Sequence, residues 1–175
     1  MFMKQITVLL AEDHQIVREG FRSLLKHEPD IEVVGEAETG RQAVRLTRKL
    51  RPEVVVMDIG MPLLNGLEAT RQIRKDFPDT KVLILSAHSD DAYVEQVTEL
   101  GAAGFLLKQT SSHNLATAIR EVQKGNTFYS PAISKRLNGR ACANAKPPPC
   151  ASATSAPSPG NRCIARTARS RAATR

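Results

Sequence analysis

The sequence predicts a doubly wound α/β domain, a five-stranded parallel sheet in the order 2-1-3-4-5 with helices on both faces. Three observations carry that expectation. Short apolar runs alternate with amphipathic stretches from residue 6 to residue 124, as they do in βα units wound into a parallel sheet. Five such runs, each followed by a stretch of helical spacing, leave few ways to wind under right-handed crossovers. Several of the runs also end in polar residues, Glu12-Asp13, Asp58, Ser86 and Lys108.

The elements follow in order. Strands are expected at Ile6 to Ala11, Ile31 to Ala37, Val54 to Asp58, Lys81 to Ser86 and Gly104 to Leu107. The first helix carries Ile16, Val17, Phe21, Leu24 and Leu25 at helical spacing, and the second carries Ala43, Val44, Leu46, Thr47 and Leu50. A third runs from Leu67 to Phe77 and stops at Pro78, and a fourth from about Asp91 to Leu100 stops at Gly101. The fifth spans Ser112 to Lys124, with Gly125 as its stop. Residues 4–124 are thus one domain, large enough to bury a core without disulfides.

Past Lys124 the pattern decays. Residues 125–138 retain Phe128, Tyr129, Ile133 and Leu137, enough for a turn and a short helix. Residues 139–175 contain one Ile and no Leu, Val, Phe or Met, too little apolar surface to offset chain entropy, so a disordered, low-complexity basic tail is expected there. All 18 acidic residues lie at or before Glu121, against 15 Lys and Arg over the same stretch, while residues 122–175 hold ten basic residues and no acid. The net charge of +7 therefore belongs to the tail and is no nucleic-acid signal from the folded domain. Cys142, Cys150 and Cys163 also lie in the tail, at spacings that match neither a zinc site nor a redox pair. The short opening Met1-Phe2-Met3-Lys4 is no signal peptide, and no apolar stretch approaches the roughly 20 residues of a membrane span. A cytoplasmic setting without membrane contact is expected.

Neighbouring strand ends in a parallel sheet lie about 5 Å apart. Glu12, Asp13 and Asp58 would therefore crowd together, and like-charged carboxylates at such range repel. Something positive must hold them. Magnesium suits an all-oxygen set, since it takes one or two carboxylates together with waters and a phosphate oxygen. Lys108 would supply a second positive charge and Ser86 a hydroxyl, all at the carboxyl edge where open α/β sheets place ligands. Singly, each residue has an ordinary explanation: a helix N-terminal acid pair, a turn-capping aspartate, a serine N-cap, a solvated lysine. Their joint placement at four strand ends argues for chemistry instead.

Taken with Asp58-Ile59-Gly60-Met61-Pro62 and Asn65-Gly66, this constellation resembles the receiver domain of bacterial two-component response regulators. Within that family it is similar to the NarL/FixJ (LuxR-type) group. That resemblance is carried by Leu9-Leu10-Ala11-Glu12-Asp13-His14, by Gly101 through Lys108, and by Gly125-Asn126 followed by Tyr129-Ser130-Pro131. It implies a flavodoxin-like fold in which Asp58 takes a phosphoryl group from a sensor histidine kinase. Asp13, Asp58 and the carbonyl of Gly60 would bind Mg2+, with Glu12 acting through a water or orienting a ligand. Lys108 and Ser86 would contact phosphoryl oxygens, and Ser86 with Phe105 would form the switch. The resemblance also implies a homodimer formed on phosphorylation.

No turnover of an external metabolite is expected. An aspartyl phosphatase or phosphotransferase would want a second aspartate at position 60, where this chain has glycine. The same resemblance implies a helix-turn-helix output domain, but the 38 residues after Leu137 show no amphipathic helical spacing. Specific DNA binding is therefore not expected from this chain. The alternative is a transcriptional regulator whose DNA-binding part is truncated or frame-shifted after Leu137.

Overall fold

The structure, a computed structural model, describes residues 5–87 and 96–129, apart from the side chains of residues 110–113. Its elements are β1 (Ile6–Ala11), α1 (Gln15–Lys26), β2 (Ile31–Ala37), α2 (Gly40–Leu50), β3 (Val54–Asp58), α3 (Gly66–Asp76) and β4 (Lys81–Ser86). A fourth helix, α4, is described over residues 96–99. There follow β5 (Gly104–Leu107), a 3-10 turn (Lys108–Thr110), α5 (Ser111–Gln123) and β6 (Phe128–Tyr129). His88, the start of α4, the short helix expected after Tyr129, and the basic tail with its three cysteines lie outside the described residues.

All five expected strands form over their expected spans, paired in parallel in the order β2-β1-β3-β4-β5-β6. The sixth strand corrects the expectation of five. Phe128 and Tyr129, assigned above to a turn and helix, instead line up beside Gly104 and Phe105, with the Phe128 amide donating to the Ala103 carbonyl at 3.1 Å. A two-residue strand has no alternation to read, and only its neighbour makes it one.

The sheet separates two apolar layers. On one face Leu9, Val55, Met57, Val82, Ile84 and Phe105 pack under Ala43 of α2, Ala69 and Ile73 of α3 and Val97 of α4. On the other, Val8, Leu10, Val54, Val56, Leu83, Leu85 and Leu106 pack under Phe21 and Leu25 of α1 and Leu115, Ile119 and Val122 of α5. Strand side chains alternate between faces, so β3 and β4 are buried on both and read as unbroken apolar runs. No helix among the described residues is long and apolar enough to cross a membrane.

Two helix ends show how local residues set the boundaries. Thr39 caps α2 by accepting the Gln42 amide at 3.2 Å. At the far end of α5, Gly125 adopts φ +92° while the Asn126 amide reaches back to the Glu121 carbonyl at 3.0 Å, satisfying an orphan carbonyl in a conformation that side chains resist. In α1 the periodicity was less reliable. Ile16 and Leu24, counted above with the apolar stripe, are 85% and 41% exposed, whereas Arg18 is buried.

Arg120 of α5 ties that helix to the α1–β2 connection. Its Nε and Nη2 donate to the two oxygens of Asp30 at 2.7 and 2.6 Å, and Nη2 also donates to Glu28. These hydrogen bonds from Arg120 hold the Asp30 carboxyl below its ordinary value of 3.8. Because the folded value is depressed, the stabilisation is present above the ordinary value and is lost as pH falls through the folded one. Thermal melts of the wild type and Arg120→Met should therefore differ most near neutral pH, and the gap should close below the ordinary aspartate pKa of 3.8. A gap that persists unchanged well below that value would show that it does not come from the Asp30–Arg120 ion pair.

Candidate functional site

Strand register builds the site. Ala11 pairs with Met57, which brings Glu12 beside Asp58. Asp58 pairs with Leu85, and Ser86 with Leu107, so the polar ends of β1, β3, β4 and β5 share one sheet edge. Glu12, Asp58 and Ser86 are 1%, 4% and 3% exposed.

Lys108 follows β5 directly and reaches across two strands. Its Nζ lies 2.8 Å from each Glu12 carboxylate oxygen, donating to Oε1, and 3.1 Å from Asp58 Oδ2. Burial alone would push the ammonium pKa down, but the Glu12 hydrogen bond and the charges of Asp58 and Glu12 outweigh it and leave the value raised. The lysine is thus a permanent internal counter-ion for two buried carboxylates. Glu12 Oε2 is in ion-pair contact with it yet accepts no hydrogen bond.

Asp13 is about one quarter exposed, and its Oδ1 lies 2.9 Å from His14 Nδ1. That oxygen is buried and accepts no hydrogen bond despite the short distance. Ligand atoms of Glu12, Asp13 and His14 all lie within 4.8 Å of one another, and Asp58 is joined to this group through Lys108. His14, 70% exposed at its side chain, is the N-cap of α1, and that helix has no acid in its first turn. Glu12 and Asp13 therefore precede the N-cap rather than lie in the first turn, and Glu12 Oε1 accepts the His14 amide at 3.4 Å.

The β3–α3 loop completes the rim. A side chain at Gly60 would place Cβ 3.6 Å from Asp58 Oδ2, so the Gly60 backbone lies against the aspartate carboxylate. Further along, a Cβ at Gly66 would come within 1.9 Å of the Asp58 carbonyl oxygen; only glycine lets α3 start that close to the strand end. The Gly66 amide donates to the Ile59 carbonyl at 3.0 Å, and Asn65 caps the helix by accepting the Glu68 amide at 2.8 Å.

The structure thus places Glu12, Asp58 and Lys108 in direct contact, with Asp13 and Gly60 adjoining. Ser86 is buried one strand further along the same edge. Phe105 is different. It is fully buried in the α2–α3–α4 layer, with Ile84 and Tyr129 as register partners, and belongs to the core beneath the site.

Arg18 was missed by the sequence reading. Its side chain is 9% exposed, and its guanidinium donates to the Glu12 carbonyl at 2.8 Å, to Glu36 at 3.1 Å and to Glu38 at 2.8 Å. The signal was present, since residues 18, 21 and 25 share a helix face whose other two members are the buried Phe21 and Leu25.

An open parallel sheet whose switch point, between β1 and β3, carries buried carboxylates clamped by a lysine has its polar site where doubly wound α/β domains bind their ligands. The chain belongs to the response regulator receiver domain family, which it matches over residues 8–120. It is 42% identical over 133 residues to the transcriptional regulatory protein DegU of Brevibacillus brevis, covering 76% of this chain and 56% of that one. Identity to the response regulator protein VraR of Staphylococcus aureus is 37% over 135 residues, covering 77% of this chain and 65% of VraR. The chain therefore spans less than two thirds of the length of these relatives. Among solved structures, a LuxR-family two-component response regulator from an Aurantimonas species superposes with a TM-score of 0.75 at 34% identity, over 79% of this chain and 99% of that one. The receiver domain of a NarL response regulator from Mycobacterium tuberculosis gives a TM-score of 0.68 at 34% identity, over 70% of this chain and 99% of that one. The chain is accordingly a receiver domain of a two-component response regulator, of the NarL/LuxR type.

Removing Lys108 leaves two buried carboxylates without their counter-charge. Because the lysine keeps some solvent access, Lys108→Met should cost about 2–3 kcal/mol in urea unfolding without metal, below the full value for a buried pair. Adding Glu12→Gln to Lys108→Met should recover part of that loss. A double variant no more stable than Lys108→Met would show that charge repulsion is not the cause.

Proposed function

We propose that Asp58 is the phosphoacceptor and that a sensor histidine kinase supplies the phosphoryl group. The observation that carries this reading is the Lys108 Nζ placed 2.8 Å from Glu12 and 3.1 Å from Asp58, a cation held where phosphoryl oxygens would arrive. A carboxylate oxygen of Asp58 attacks phosphorus, the bond from phosphorus to the kinase imidazole breaks, and an acyl phosphate remains on Asp58. Little further covalent chemistry is needed, so the surrounding residues act by position and charge. Lys108 pairs with one equatorial oxygen of the arriving group, and the Ser86 hydroxyl donates to another.

The donor set fits magnesium. Asp13, Asp58 and the Gly60 carbonyl offer only hard oxygen, Glu12 stands behind them to orient a ligand or a bound water, and Asp13 Oδ1 is buried with no hydrogen bond of its own. Once bound, the ion would neutralise charge on the phosphoryl oxygens.

The phosphoryl group adds about −1.5 to −2 charge, and drawing Ser86 toward it would reshape the packing against Phe105. That ring is already buried, so Ser86 engagement would bias an inward position that exists beforehand rather than create it. Phosphorylation-dependent homodimerisation and a cytoplasmic location are part of the same reading. The role is that of a signalling switch, with no external metabolite turned over. Transcriptional regulation, named for the Brevibacillus relative, is the second reading; it needs a DNA-binding segment beyond the receiver.

Incubation of the full chain with acetyl phosphate and MgCl2 should add the mass of one phosphoryl group. Asp58→Asn or excess EDTA should abolish that addition, and phosphorylation persisting in Asp58→Asn would end the assignment. In a gel-shift titration against candidate promoter DNA, no saturable, sequence-specific band is expected; such a band would favour the second reading.

A further inference from the structure

We propose that Arg18 is a positioning residue for the metal-binding loop, holding the Glu12–Asp13 backbone in the geometry that Mg2+ requires. The inference rests on the receiver reading above and extends it to a residue that touches neither phosphoryl group nor cation. A buried arginine flanked by two glutamates has a plain structural explanation, and Glu36 and Glu38 alone would satisfy it. The third contact goes beyond that. Nη1 is spent on the main-chain carbonyl of Glu12 at 2.8 Å, while the amide of the same residue donates to the Ala37 carbonyl at 3.0 Å. Both polar groups of the Glu12 backbone are thereby fixed, one from α1 and one from β2, just where the chain leaves β1 and must aim two successive carboxylates.

The aim matters because successive residues leaving a strand diverge. The Glu12 side chain turns to Lys108, while Asp13 lies beside His14 with an unsatisfied buried oxygen. A rotation of the single peptide between them would redirect both. Arg18 grips that peptide's carbonyl, and its other two nitrogens are anchored to Glu36, at the end of β2, and to Glu38 just beyond it. The guanidinium is a planar fork suited to such a three-way tie, which an ammonium cannot reproduce.

Charge alone predicts the opposite outcome, and this makes the idea decidable. Deleting a positive charge near an acidic cluster strengthens cation binding by Coulomb attraction, whereas loosening the ligands weakens it. Arg22 provides the control: it lies on the same helix, its Nη1 is 3.0 Å from Glu36, its side chain is 64% exposed, and its ion pair among the described residues is with Glu36 rather than Glu12.

MgCl2 titrations of the full chain, followed by backbone amide shifts at a temperature where circular dichroism shows each variant folded, test the proposal. They are paired with initial rates of phosphorylation by acetyl phosphate across the same Mg2+ range. Arg18→Met should weaken Mg2+ binding about tenfold, the low end for loss of a group that holds a ligand from behind. Its rate at saturating Mg2+ should stay near that of the wild type. Arg18→Lys should be weakened as well, and Arg22→Met should be unchanged or slightly tighter. Unchanged or tighter binding in Arg18→Met, or a rate deficit that saturating Mg2+ does not repair, overturns the positioning role. If Arg18→Met does not fold, Arg18→Lys decides by the same criterion. Failure of the wild type to bind Mg2+ or to be phosphorylated would instead bring down the receiver chemistry on which the inference stands.

Discussion

The structure turns on one electrostatic constraint: two buried carboxylates at adjacent strand ends, Glu12 and Asp58, share the ammonium of Lys108. Each acid alone in this setting would be a buried charge left without compensation. With the lysine astride them they form a compact charged site. Removing one member of such a group is costlier than never having had it, because the remainder is left uncompensated in a low-dielectric surrounding. The site is therefore held together by the same charges that its proposed chemistry uses, and any cation or phosphoryl group that arrives must enter an existing balance.

That balance depends on topology. Glu12 and Lys108 are 96 residues apart, and Asp58 lies on the strand between their positions in the sheet order. Only the crossover that places β1 against β3, with β4 and β5 following, brings the ends together. The fit is then tuned from behind. Gly66 lets α3 begin in contact with the Asp58 carbonyl, and Arg18 holds the Glu12 carbonyl from α1. Sheet, loop and helix each contribute one restraint on the same few atoms.

Legibility in the sequence followed the strength of the local signal. β1, β3, β4 and β5 were readable because buried parallel strands are largely continuous apolar runs, and the helix stops were readable because Pro78, Gly101 and Gly125 act through backbone geometry alone. β6 was not, being two residues long and defined only by its partner. Within α1, periodicity located the helix but misassigned its stripe. Ile16 sits in the first turn, beyond the reach of the neighbouring layer, and Arg18 takes the inward position because Glu36, Glu38 and a carbonyl await it. Helix-face spacing set Arg18 beside Phe21 and Leu25, but the glutamates that satisfy its charge come from the end of β2 and just beyond it.

Residue order by itself determined the fold class, the strand spans, the polar ends of β1, β3, β4 and β5, and the family those features resemble. These are consequences of short-range physics, namely side-chain alternation, capping and turn chemistry, which act over a few residues and are written in their order. Tertiary structure alone decided which acid Lys108 binds most closely, that Asp13 keeps a buried oxygen without a hydrogen bond, that Phe105 lies in the core beneath the site, and that Arg18 braces the loop. The Lys108 contact, the place of Phe105 and the Glu36 and Glu38 anchors of Arg18 join segments distant in sequence, set by strand register and packing. Periodicity says that such segments meet, but not which atoms touch.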